Sequence, residues 1–471
     1  MILRSFQIRI LSILLLLGSA LSAQTTAPNV LIFFIDDLGW TDIGVNGSSF
    51  HETPHIDALA AEGVNFKRSY AANPVCSPTR AALMTGKAPQ RVGITQWISG
   101  DSPSLDLSEF TIGEAFQAAG YRTGYIGKWH LGKTDAVQPK YQGFAYTAAV
   151  NRAGQPASFF YPFGKGRRPS NVPDLKGYKP GDYLTDALTD KAIEFIDQSS
   201  TAVGAGPQDK PFFLCLSHYA VHTPIQAPEP LVKKYKAKKR AMLGEGAPQM
   251  IEEKYNTLAR GQQGDPAYAA MMENLDWNIG RVIEHLEAKG LLENTIILFT
   301  SDNGGLAHRK RMVSPTSNAP LRSGKAWTYE GGIRIPTIIS WQGHIQPATS
   351  EAKIITMDMY PTLLELAGLP LQPEQHLDGQ SLLPLLQGDQ NEAAEDRALM
   401  WTYPHVHGSG HQPSDAILSG DWKLIRFQSD EPTELFNLAN DLGEQTNLAK
   451  QYPEKVKALE KALDRWLAQT K

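Results

Sequence analysis

The chain is short of three things, and each shortage excludes a class of protein. Cysteine occurs only as Cys76 and Cys215 in 471 residues, so a small disulfide-stapled scaffold is excluded. An excess of charge of one sign is also missing: 45 Lys and Arg stand against 49 Asp and Glu, a formal net charge of -4. That balance supplies no general pull towards nucleic acid, so an anionic substrate has to be recognised locally. No segment reaches the roughly 18 continuous apolar residues of a membrane helix, and no stable membrane span is expected. What remains, with 42 % hydrophobic and 20 % charged residues, is the composition of a folded globular body large enough for several domains.

The first residues depart from that composition. Arg4 and Arg9 precede an apolar run from Ile10 to Leu17, followed by the small residues Gly18, Ser19, Ala20 and Ala23. The pattern reads as a secretory signal peptide over residues 1–23 and implies a secreted or periplasmic protein. No lipobox cysteine follows it. The two cysteines sit in contexts that argue against a pair: Cys215 in the apolar run Phe212–Leu216, Cys76 in a Pro-rich turn.

Beyond residue 28 apolar β-rich runs alternate with helical patterns, the signature of an α/β fold. Asn29–Ile35, Arg122–Gly127, Pro211–Ser217, Thr295–Ser301 and Ile335–Ser340 read as strands of a largely buried sheet. Thr53-Pro54 opens one helix, Thr111 to Glu114 forms a capping box before another that Gly120 closes, and Ala267–Lys289 ends at Gly290. Residues 133–182 and 226–265, rich in Gly, Pro and charge, read as long excursions. The basic cluster from Lys233 to Arg240 in the second reads as a solvated helix face. After Gly388 short strands and a helix over Pro453–Gln469 suggest a smaller C-terminal subdomain, giving domains of 24–388 and 389–471.

The chemistry gathers where strands end. Asp36 and Asp37 follow the first strand, Asp302 and Asn303 follow Thr295–Ser301, and open α/β sheets bind ligands at that edge. Adjacent carboxylates repel unless a cation neutralises them, and an all-oxygen set suits Ca²⁺ above Mg²⁺. Asp and Asn are also common turn residues. A second constellation runs Cys76-Ser77-Pro78-Thr79-Arg80 and on to Gly86. Ser77 and Pro78 read as cap and first residue of a helix, with Cys76 beside its N-terminus and Arg80 on its first turn. That environment stabilises negative charge and leaves a reactive thiol as one reading. Further basic groups, Lys128, His130, His218, His222 and Lys325, stand near other strand ends or turns.

Cys76-Ser77-Pro78-Thr79-Arg80, Gly127-Lys128-Trp129-His130-Leu131-Gly132 and Asp36-Asp37 together resemble the type I, formylglycine-dependent sulfatases of alkaline-phosphatase-like fold. The resemblance implies a mixed sheet flanked by helices with a smaller C-terminal α+β subdomain. It implies that Cys76 is converted to Cα-formylglycine by a maturation enzyme, and that Asp36, Asp37, Asp302 and Asn303 bind one Ca²⁺ together with the modified Cys76. On the same ground Arg80 steadies the formylglycine hydrate, Lys128 and Lys325 hold sulfate oxygens, His130 manages the hydrate's proton and His222 protonates the leaving alcohol. One hydroxyl of that hydrate attacks sulfur, and the other, losing its proton, expels sulfate.

A phosphatase or phosphodiesterase of the same superfamily is the competing enzyme class, typically with Ser or Thr as nucleophile and two zinc ions, and Cys76 speaks against it. A non-catalytic sulfoglycan-binding relative would show a broken site, and no position is missing here. Gly93-Ile94-Thr95-Gln96-Trp97-Ile98 and Tyr403 to His411 resemble segments of bacterial sulfatases acting on 4-sulfated galactose or N-acetylgalactosamine. Export, the lack of a polyanion-binding charge excess and the long loops lead us to expect an exo-acting sulfatase on sulfated saccharides, with Trp97 offering a face to a sugar ring and His405, His407 and His411 reaching its hydroxyls.

Overall fold

The computed structural model describes residues 27–100, 102–164, 170–200, 210–309, 313–389 and 397–470. The expected signal peptide lies outside them. The strands are β1 (Asn29–Ile35), β2 (Val64–Tyr70), β3 (Arg122–Gly127), β4 (Tyr146–Ala148), β5 (Phe212–Ser217), β6 (Met250–Glu253), β7 (Thr257–Arg260), β8 (Thr295–Ser301), β9 (His308–Arg309), β10 (Thr337–Ser340), β11 (Ala348–Ile355), β12 (Leu399–Tyr403), β13 (Ser414–Ser419), β14 (Trp422–Phe427) and β15 (Glu434–Asn437). The helices used below are α1 (Pro54–Ala61), α2 (Cys76–Thr85), α3 (Ile112–Ala118), α4 (Leu184–Ser200), α5 (Glu229–Leu243), α6 (Pro266–Ala288), α7 (Met359–Leu366) and α8 (Pro453–Gln469).

An eight-stranded sheet in the order β11-β2-β10-β8-β1-β5-β3-β4 forms the centre. From β8 to β4 neighbouring strands are parallel, while β10 runs antiparallel to both β8 and β2. All seven residues of β1 are buried, as a strand covered on both faces requires. Val30, Ile32 and Phe34 pack on one side with residues of α2, α3 and α7, while Leu31, Phe33 and Ile35 pack on the other with α1, α4 and α6. Register then sets the active edge. Ile35 pairs with Ser301, Phe34 with Ser217 and Gly127 with Ser217, so the carboxyl ends of β8, β1, β5 and β3 finish nearly flush.

A four-stranded antiparallel sheet, β12-β13-β14-β15, makes the C-terminal unit. Ile417, Leu424 and Leu435 meet Leu459 and Leu463 of α8 on one face. On the other, Trp401, Leu418 and Ile425 pack with Tyr70, Ala72 and Trp327. Trp401 Nε1 donates to Ala71 O at 2.8 Å and Asn73 Nδ2 to Thr402 O at 3.2 Å, tying this sheet to the turn before Cys76.

Several boundaries differ from the sequence reading. Strands begin at Phe212 and Thr337 rather than Pro211 and Ile335. β2, β11 and β13 escape an apolar-run criterion because Lys67 and Arg68 interrupt the first, only the last three residues of the second are buried, and the third opens on Ser-Asp. α2 starts at Cys76 with Val75 as its extended N-cap, two residues before Pro78. Ser77 does not cap it: its hydroxyl donates to His130 O at 2.8 Å and accepts from Ile98 N at 3.0 Å. α5 carries the basic cluster, and Lys234 and Lys238 both pair with Glu52. Among the described residues, no helix is long and apolar enough to cross a membrane.

Candidate active site

The flush strand ends place Asp36, Asp37, Asp302, Asn303 and Lys128 together, each at most 1 % exposed. Lys128 reaches Asp36 across β5 because Gly127 takes φ +97°, where a Cβ would lie 2.0 Å from Ser217 O. The Lys128 ammonium sits 2.6 Å from Asp36 Oδ2. Arg80, on the second turn of buried α2, carries its guanidinium to the carboxylates. Its Nε and Nη2 lie 2.9 and 2.7 Å from Asp302 Oδ2, and Nη1 donates to Lys128 O and Ser217 Oγ. Lys325 pairs with Asp37 Oδ1 at 2.5 Å, and Asn303 Nδ2 donates to the same oxygen at 2.8 Å. The loop carrying Lys325 is fixed by Asn318 Nδ2, which donates to the carbonyls of Gly305, Ser323 and Gly331.

Three cations thus face three carboxylates, yet among the described residues Asp36 Oδ1, Asp37 Oδ2 and Asn303 Oδ1 have no hydrogen-bond partner. Leaving buried acceptors unpaired is costly unless a ligand completes them. Burial raises the Asp36 carboxyl, and Asp302 and Asp37 add to it, so Lys128 does not bring it back to the ordinary range. Burial also opposes ionisation of Asp37, but the ammonium groups of Lys325 and Lys128 outweigh it and its pKa is lowered. Both observations fit a hard divalent cation among these oxygens. Asp36, Asp37 and His222 also group closely enough to share an ion, with His222 Nε2 3.6 Å from Asp37 Oδ2.

Cys76 Sγ lies 3.2 Å from His130 Nδ1, while His130 Nε2 lies 3.1 Å from Ile98 O. A carbonyl only accepts, so Nε2 carries the ring proton and Nδ1 offers its lone pair to residue 76. Burial, reinforced by Lys128, holds His130 well below its ordinary pKa, so the ring is neutral. His222 is neutral likewise, with burial and then Lys325 lowering it to about 3. Its Nδ1 donates to Thr223 O at 2.9 Å, leaving Nε2 as the free nitrogen beside Asp37.

These groups open into a cleft of about 730 Å³ whose walls include Trp97, His407, Arg152 and Gln155. Trp97 is 40 % exposed. His407 lines the cleft, with its Nδ1 against Ser409. The other two histidines depart from the sequence reading. His405 lines an adjoining pocket and meets Thr95 Oγ1 at 3.0 Å. His411 is fully buried, its ring against Trp327 and Tyr403. His218 is also buried, with neither ring nitrogen partnered among the described residues. Cys76 and Cys215 are both free. Sequence reasoning located the excursion over 133–182 but named none of its side chains. Lys133, Arg152 and Gln155 join the cleft only through the fold, and a lone Arg between Asn and Ala carries no local signal.

The model of the family described as "Sulfatase" matches residues 28–369, and that described as "N-sulphoglucosamine sulphohydrolase, C-terminal" matches residues 323–471. A "Sulfatase" of Formosa agariphila is 32 % identical over 90 % of this chain and 85 % of its own length. An "N-acetylgalactosamine-6-sulfatase" of Mus musculus is 30 % identical over 94 % of this chain and 86 % of its own. The crystal structure of Ps i-CgsB superposes with a TM-score of 0.76 at 29 % identity, covering 94 % of this chain and 93 % of that one.

Proposed function

The chain belongs to the sulfatase family, alkaline-phosphatase-like hydrolases of sulfuric esters, and from that premise we propose an exported, exo-acting, Ca²⁺-dependent enzyme that desulfates galactose or N-acetylgalactosamine 4-sulfate. The observation that carries the reading is Cys76 Sγ against His130 Nδ1 beside three unpartnered buried oxygens at the strand edge. Asp36, Asp37, Asp302 and Asn303 would hold the ion, with residue 76 completing its shell. Conversion of Cys76 to Cα-formylglycine, by a maturation enzyme, supplies a hydrated aldehyde as nucleophile, and the ion supplies positive charge at the sulfate oxygens.

The chain's own residues do the rest. His130 holds its lone pair towards residue 76 and takes the proton released there. Lys128 and Lys325, buried and fixed by Asp36 and Asp37, face the charge that grows on the sulfate oxygens, a preorganised stabilisation. Arg80 holds Asp302 and the strand ends of β3 and β5 in one frame. His222 moves a proton at Nε2 to the departing alcohol, and must first take it up there because its ring proton is held by Thr223 O.

Support for the 4-position is the likeness of residues 93–98 and 403–411 to 4-sulfate enzymes, together with Trp97 and His407 in the cleft. The relatives named N-acetylgalactosamine-6-sulfatase favour the 6-position as the second reading. Export rests on the apolar run from Ile10 to Leu17. The test compares kcat/KM on the 4- and 6-sulfates of N-acetylgalactosamine, with a preference of at least about tenfold for the 4-sulfate expected. A preference for the 6-sulfate moves the pocket assignment to the second reading. A peptide mass across Cys76, from protein made in its own host, distinguishes aldehyde from thiol.

A further inference from the structure

We propose that the cleft takes a saccharide bearing a second anionic group, gripped at the rim by Arg152 and Lys133 while the scissile sulfate occupies the floor; the inference rests on the sulfatase reading above. The chain as a whole carries a net charge of -4, yet the charged residues lining the cleft are Lys133, Arg152 and Lys325 against Asp37. Lys325 is committed to Asp37. Two cations therefore stand over a floor that already holds its own charges in pairs, and one sulfate ester brings only a single negative charge.

Neither rim cation is consumed. Arg152 grips Asp135 through Nε and Nη2 at 2.7 to 3.2 Å, and among the described residues Nη1 makes no hydrogen bond. That pair is 54 and 71 % exposed, where water and salt weaken it, so an incoming anion can share the guanidinium. Lys133 Nζ donates to the carbonyl of Gly100, which also lines the cleft, and a neutral acceptor leaves its charge uncompensated.

The rim is also held rigidly against the reactive groups. Asn151, 2 % exposed, takes its backbone bond to Tyr219 Oη and sends Nδ2 to Gln155 O and Ser170 O. Gly154 lies so close to the His130 ring that a Cβ there would meet it at 2.2 to 2.6 Å. Gln155 receives Thr223 Oγ1, next to His222. Two residues of chain, at most about 7 Å, separate Gly154 from Arg152. An anion on the same sugar as the scissile sulfate, or on its neighbour, is within reach.

The experiment uses the full chain co-expressed with a formylglycine-forming enzyme, as wild type, Arg152→Gln and Lys133→Gln. It reads kcat/KM on an aryl sulfate, a monosulfated galactosamine, its disulfated form, and a monosulfated disaccharide containing a uronate. Wild type is expected to prefer a second anion, and each variant to shrink that preference ratio by about tenfold, the value of one charge-assisted contact. Collapse on the disulfated sugar assigns a sulfate to the rim, and collapse on the uronate a carboxylate. A Cys76→Ala background supplies the same comparison as equilibrium binding. Equal loss on all substrates makes the residues merely structural, and a wild-type ratio near unity overturns the inference while aryl sulfate turnover keeps the sulfatase reading. No turnover of any sulfate by matured protein ends both.

Discussion

Two regions of this molecule bury charge, and they treat it in opposite ways. Where the C-terminal sheet meets the main body, Lys423 is fully buried between Glu330 at 2.9 Å and Glu444 at 2.8 Å. Glu330 also receives Tyr70 Oη and Arg334, and Glu444 receives the Glu330 backbone N–H. Each carboxylate oxygen of the cluster thus has a partner within 3.4 Å, Glu444 Oε1 through its ion pair with Lys423 alone. At the strand edge of the large sheet, cations of the chain meet the carboxylates, yet among the described residues Asp36 Oδ1, Asp37 Oδ2 and Asn303 Oδ1 have no hydrogen-bond partner. A buried structural charge is satisfied within the protein, whereas a functional one is left incomplete for a ligand.

The largest effect that would break this contrast is at residue 76. Cys76→Ala should lower sulfate-ester turnover by more than about 10³-fold. Its melting temperature should stay within about 3 °C of wild type, because only one sulfur atom is lost. Undiminished turnover would remove Cys76 from the chemistry.

Metal removal tests the open oxygens directly. Chelation should take activity to background and lower the melting temperature, since unneutralised carboxylates then repel. Ca²⁺ should restore both better than Zn²⁺. Full activity in metal-free protein, or two zinc ions in active protein, would contradict the oxygen-ligand assignment.

A smaller effect is expected from Gly154→Ala. The added methyl has to displace the His130 ring, and a misplacement of about 1 Å costs on the order of 10²-fold in rate. Stability should change little, because the loop lies at the cleft wall. Wild-type kcat would show that His130 position is not limiting.

The smallest effect belongs to the closed cluster. Burial raises Glu444, and Glu330, already ionised by its three partners, adds to the rise against the pull of Lys423, bringing it to about 7. A folded-state pKa above the unfolded carboxylate value means the contribution to stability is complete below about pH 4.5 and is lost as pH rises through about 7. Glu444→Gln removes that loss, so its melting temperature should exceed wild type by about 2 to 4 °C at pH 8 and by less at pH 5. A difference independent of pH would show that Glu444 does not titrate with folding.

The sequence by itself determined the elements and the residue types of the chemistry. Buried parallel strands announce themselves as apolar runs, and β1, β3 and β8 were legible to the residue. Asp36-Asp37, Asp302-Asn303 and the cysteine motif were legible because they sit at strand ends or in a distinctive local pattern. Tertiary structure alone decided who meets whom. Register across β8, β1, β5 and β3 brings Asp302 to Arg80. The packing of β12 and its following loop seals His411 behind Trp327 while leaving His407 in the cleft. Arg152 becomes a wall of the site only because Asn151 and Gly154 clamp its loop over His130. Local sequence fixes periodicity and turn chemistry over a few residues, but contacts between residues 50 to 270 positions apart arise from sheet order and loop anchoring.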